Sequence, residues 1–86
     1  MMNSAAIGLL SDHATRHLFE RVVSSRMVRL RELVGPDAGI DQDTALRKLG
    51  ELEKMGLIDE KRSALPELTT YFVTADGLDL ERKLRR

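Results

Sequence analysis

Residues 40–56 read Ile40-Asp41-Gln42-Asp43-Thr44-Ala45-Leu46-Arg47-Lys48-Leu49-Gly50-Glu51-Leu52-Glu53-Lys54-Met55-Gly56, and this stretch decides the fold. Ala45, Leu49, Leu52 and Met55 recur at helical spacing and form one apolar stripe. Asp41 stands where a short side-chain oxygen can accept from the free amides of a first turn. Gly56 stands where a helix stops by turning left-handed, which glycine does without steric cost. Leu57 and Ile58 then begin a strand. The spacing therefore predicts a helix over 41–55 that runs directly into β-structure.

Working outward, the hydrophobic period changes from helical to two after Gly56. Residues 57–61 read as one strand of a hairpin and residues 62–67 as its connection. Residues 68–74 are rich in β-branched and aromatic side chains, as a strand should be. Tyr71 and Val73 are expected on one face and Phe72 on the other. Thr74 can cap a last helix from Ala75 to about Arg85, with Leu78, Leu80 and Leu84 as its apolar positions. Upstream, Ser11 or Asp12 can cap a first helix that reaches Ser24 or Ser25. Its stripe is Ala14, Leu18 and Val22, widened by Phe19 and Val23. Met27, Val28 and Arg29 form a short β-capable stretch. Residues 30–34 read as a brief second helix carrying Leu30, Leu33 and Val34. The loop Gly35-Pro36-Asp37-Ala38-Gly39 cannot continue it. Two helices joined by a turn, the second longer and better patterned, make a helix-turn-helix signature. The order is α-β-α-turn-α-β-β-α, a mainly α chain with a small β-hairpin (α+β). Residues 11–86 are expected to form one domain. Residues 1–10 are expected to be a flexible or partner-packing segment, because terminal segments fray unless something holds them.

The totals set bounds. The chain has 86 residues, of which 14 are basic and 14 acidic, so its formal net charge is zero and exerts no global pull on nucleic acid. One small domain fits this length. Hydrophobic residues make up 42% of the chain, too many for a disordered tail. There is no Cys, which excludes disulfides and thiolate metal sites. No apolar run approaches the ~18 residues of a membrane span, and the start lacks a basic leader. A cytoplasmic protein is the expectation. Charge is unevenly spread: residues 12–32 hold five arginines against three acids, and residues 37–60 hold three basic residues against seven acidic. The decisive helix thus lies in the most acidic part of the chain.

Chemistry finds little support. His13 and His17 lie one helical turn apart, but a closed metal site needs four ligands and only Glu20 is near. There is no glycine-rich phosphate loop, nucleophile elbow or acid–base pair. Neither an enzyme nor a cofactor nor a metal is expected.

Residues 45–58, Ala45-Leu46-Arg47-Lys48-Leu49-Gly50-Glu51-Leu52-Glu53-Lys54-Met55-Gly56-Leu57-Ile58, resemble the recognition helix and first wing strand of winged helix-turn-helix proteins. Tyr71-Phe72-Val73-Thr74-Ala75-Asp76-Gly77 resembles their second wing strand and the aromatic-x-aliphatic-Thr-x-x-Gly run that opens a closing helix. Many bacterial and archaeal transcriptional regulators carry both. The turn over 35–39 is longer than is usual in that family, and its wing has only two basic groups. The resemblance implies a DNA-binding transcriptional regulator, with helix 41–55 in the major groove and wing 57–74 on the backbone or minor groove. It nominates Gln42, Thr44, Arg47 and Lys48 on the recognition helix, where Gln pairs with adenine and Arg with guanine. Arg26 and Arg29, beside Arg31, would face the DNA backbone, and Lys61 and Arg62 would reach from the wing. The basic run Arg82-Lys83-Arg85-Arg86 reads instead as a dipole-favoured helix end. Double-stranded DNA and a second copy of the chain are the implied partners. The neutral total and the acidic helix suit an alternative, a protein–protein docking module that does not bind DNA.

Overall fold

The computed structural model describes residues 4–85; Met1 to Asn3 and Arg86 lie outside the described residues. The elements are α1 (Ser4–Leu9), α2 (His13–Ser25), β1 (Met27–Arg29), α3 (Gln42–Lys54), β2 (Ile58–Lys61), β3 (Thr70–Val73) and α4 (Ala75–Leu84). No helix among the described residues is long and apolar enough to cross a membrane.

Helix α2 begins where Asp12 Oδ2 accepts from the Thr15 amide at 3.0 Å and from the Thr15 hydroxyl at 2.8 Å. Its buried face is Leu18, Phe19, Val22 and Val23, which the four-residue spacing anticipated. It ends at Arg26, a non-glycine residue with φ 66°, whose carbonyl accepts from the Val73 amide and so feeds the chain into β1. The expected second helix is a single 3-10 turn, Leu30–Glu32. The Arg29 amide bonds to the Glu32 carboxylate and the Leu30 amide to the Thr69 carbonyl, which satisfies the free donors of a helix start, but the turn itself closes only the bond from the Leu33 amide to the Leu30 carbonyl. Gly35, at φ 114°, and Pro36 then end it. The loop closes on itself through a Gly35–Ile40 bridge.

The three strands form one antiparallel sheet in the order β1-β3-β2. Val28 pairs with Tyr71 and Tyr71 with Glu60; Arg29 pairs with Thr70 and Thr70 with Lys61. Directly paired residues share a face. The row through Tyr71 therefore looks into the core, where Val28 and Tyr71 are buried, and the row through Thr70 looks out.

Residues 4–9 of the N-terminal segment are helical, and α1 packs against α3. Ala6 and Leu10 are buried in the same core as Leu18, Leu49 and Ile58. Burial of Ala6 and Leu10 holds this segment on the core.

Helix α3 stops as its sequence demands. Gly56 takes φ 75°, its amide bonds to the Glu53 carbonyl, and the Leu57 amide bonds to the Leu52 carbonyl. This is the left-handed helix stop in which glycine is favoured. The expected stripe is buried at Ala45, Leu49 and Leu52, while Met55 is the half-buried C-cap. Asp41 occupies the N-cap with extended backbone but closes no side-chain capping bond. The end of α3 is tied to the start of α4 by Thr74. Its hydroxyl donates to the Gly56 carbonyl at 2.6 Å and accepts from the Gly77 amide at 3.0 Å. One side chain thus satisfies the carbonyl of the turn that follows α3 and an orphan amide of α4.

Candidate nucleic-acid interface

Helix α3 lies on the core with a cleft along each flank and its outer row exposed. On one flank, Thr44 lines a cleft against α2, and Lys48 Nζ reaches Asp12 Oδ2 at 2.8 Å. On the other, Leu46, Gly50 and Glu53 line a groove against the wing residues Arg62, Ser63 and Pro66. Between them Asp43, Arg47, Glu51 and Lys54 are exposed at helical spacing. Arg47 makes no hydrogen bond or ion pair among the described residues, although its charge reaches Asp41. The β2–β3 hairpin follows α3 directly, and its connection, residues 62–69, folds a 3-10 turn (Pro66–Leu68) back against the turn at Leu30–Glu32.

The chain superposes on the reduced form of the transcriptional regulator YodB from B. subtilis with a TM-score of 0.79 at 20% identity, covering 99% of this chain and 86% of that one. A helix-turn-helix whose second member runs straight into an antiparallel hairpin, closed by a further helix, decides the architecture. The fold is a winged helix-turn-helix. No protein-family model and no curated protein matches the chain.

Within the winged helix, the nominated residues part company. Arg47 stands in the outer row of α3. Gln42 is half-buried in its first turn. Thr44 faces α2, and Lys48 is committed to Asp12, its side chain only 18% exposed. Both were expected among the DNA contacts of the recognition helix; here they lie on its α2 side. Arg29 and Lys61 lie in one cross-strand row at the wing end of the sheet, both exposed. Neighbouring strands stand ~4.8 Å apart, so the two backbones are about 10 Å apart across β3. Arg62 is held by Glu60 at 2.8 Å. Arg26 sits apart, level with Val73, in a small cleft with Glu81 and Arg82 of α4 and with Arg85, its C-cap. The sequence reading missed Leu46, Gly50 and Lys54. The first two repeat at i, i+4, the same period that marks the buried stripe, offset toward the wing.

The electrostatics follow the packing. The Lys48 ammonium, with the Thr15 amide and hydroxyl, holds the Asp12 carboxyl well below the usual carboxylate range. The Thr44 hydroxyl is the main influence lowering Asp41. On the wing flank, burial and then the charges of Glu60 and Asp59 raise Glu53. Burial, followed by Glu60 and Glu53, pushes the Tyr71 hydroxyl up to about 12. The hydrogen bond from Arg62 to Glu60 raises the guanidinium. The interface is therefore of mixed sign.

His13 and His17 line the α2 cleft, about 600 Å³, with Asp37 and Asp41 opposite. Among the described residues no three His, Asp or Glu side chains converge as metal ligands.

Proposed function

We propose that this winged helix is a DNA-binding transcriptional regulator acting as a homodimer in the cytoplasm. Helix α3 enters the major groove, and the wing lies on the backbone or minor groove. The observation that carries this reading is the outer row of α3, left exposed between a cleft against α2 and a groove against the wing. Arg47 reads a base edge, assisted by Gln42 at the start of the helix. Arg29, Lys61 and Arg62 contact phosphates, with Arg62 exchanging Glu60 for DNA. Lys48 serves by tying α3 to Asp12 at the start of α2. Two copies present two α3 helices about one turn of DNA apart, which supplies the affinity one neutral module lacks.

Duplex selection from a random library, followed by titration of the winner against salt, tests this. Affinity is expected to fall steeply with salt, at a log–log slope of about −0.9 for each phosphate neutralised. Lys61→Ala reduces that slope by about 1 per protomer, and Arg47→Ala costs ~1–3 kcal/mol of base discrimination. The outer row pairs two carboxylates, Asp43 and Glu51, with two cations. That balance favours the second reading, a protein-docking surface. No DNA binding at low salt would select it.

A further inference from the structure

The groove between α3 and the wing holds about 430 Å³. Gly50 lies in the interior of α3 and lines it. A glycine inside a helix is costly relative to alanine, because it loses more backbone freedom on folding. Here the chain itself supplies no reason for it. The φ of Gly50 is not positive, and a Cβ placed there would meet no atom within 4 Å. Gly77 on α4 is the contrast, where a Cβ would meet the Leu57 carbonyl. A helical glycine with empty space above it also lets a second backbone come close.

We infer that Gly50 marks the point of closest approach to DNA, where the sugar–phosphate edge of one strand passes between α3 and the wing. The inference rests on the DNA reading and adds the path of the strand. The role is steric. Lys54 and Arg62 line the groove together with Glu53 and Glu60, two cations against two carboxylates. The groove thus has no surplus of cations with which to hold a phosphate, and fit decides the approach. Gly50 is a positioning residue for the depth of α3 in the major groove.

Gly50→Ala and Gly50→Gln separate the two demands, since both are good helix formers. Thermal unfolding is expected to show both variants more stable than wild type, by about 2–6 °C. Binding of the selected duplex at fixed salt is expected to weaken in proportion to size, at least threefold for Ala and at least thirtyfold for Gln. Gly8→Ala in α1, where an added Cβ likewise meets no atom within 4 Å and which lies outside the groove, is the control for added helicity and is expected to keep wild-type duplex affinity. A Gly50 variant that binds as tightly as wild type overturns this inference and leaves the DNA reading standing. A Gly50 variant less stable than wild type overturns the premise that the chain's own packing leaves the position free. Failure of the wild-type protein to bind any duplex overturns the DNA reading, and this inference with it.

Discussion

Replacing Gly77 by alanine tests the joint that sets the pose of α3. An added Cβ would overlap the Leu57 carbonyl oxygen and lie 3.0 Å from Val73 Cγ2, and contacts under 3.0 Å are essentially never seen. The nearer atom is backbone at the end of α3, so no rotamer change relieves it. Helix α4 must retreat by about an ångström, a displacement that overpacked sites resist at ~1–3 kcal/mol. The retreat also stretches the bond from the Thr74 amide to the Leu57 carbonyl, already 3.2 Å long. A hydrogen bond of this kind contributes ~1 kcal/mol. Alanine returns ~1 kcal/mol through helix propensity. The net expectation is a loss of about 2 kcal/mol, a large share of the ~5–15 kcal/mol that holds a small domain folded. For a chain of this size that lowers Tm by about 8–16 °C. Urea unfolding followed by far-UV circular dichroism measures it, with an unchanged m-value expected. An alanine variant as stable as wild type would refute the close approach of α4 to the end of α3. The same substitution at Gly50 carries the opposite sign, so one pair of variants distinguishes a packed glycine from an open one.

Three further outcomes follow from the same geometry. Asp12→Asn keeps a capping side chain but removes the charge that Lys48 pairs with. The Asp12 carboxyl is held below its ordinary value of 3.8, so its contribution is present above that value and fades as pH falls below it. The Tm gap between wild type and Asp12→Asn should therefore be full at pH 6 and narrow below about pH 4; a gap constant with pH contradicts the pairing. Glu53 is shifted the other way, upward from 4.5, so its ionisation in the folded state is a penalty that is absent in acid and complete above its raised value. Glu53→Gln should raise Tm at pH 7 to 8 and leave it unchanged at about pH 4; equal melting at neutral pH would remove the carboxylate crowding from the groove. Arg26→Gly should stabilise by about 1 kcal/mol, as glycine relieves the φ of 66° at the end of α2. Because Arg26 lies beside α4, duplex affinity should not change, and a weakened complex would put Arg26 back among the DNA contacts.

Local signals were legible wherever the chain satisfies itself within a turn or two. The Asp12 and Thr74 caps, the Gly56 stop and the buried stripe of α3 each depend on neighbours three or four residues away, so spacing alone exposes them. Residues 30–34 misled because the apolar pattern was right while the hydrogen bonds were not. The turn that starts at Leu30 closes one bond, from the Leu33 amide to the Leu30 carbonyl, before Gly35 and Pro36 end it. Residues 4–9 carried no helical signal, and their helix is held by burial of Ala6 against the core.

By itself the sequence determined which residues of α3 point inward and where that helix stops, because the 3.6-residue period and the left-handed freedom of glycine are properties of the local backbone. Tertiary structure alone decided what each outward residue faces. Arg47 and Lys48 are adjacent in the chain and equally basic, yet the first stands in solvent and the second reaches across to Asp12. The helical turn of ~100° between them becomes a difference in role only once α2 and the wing have taken their places on either side of α3.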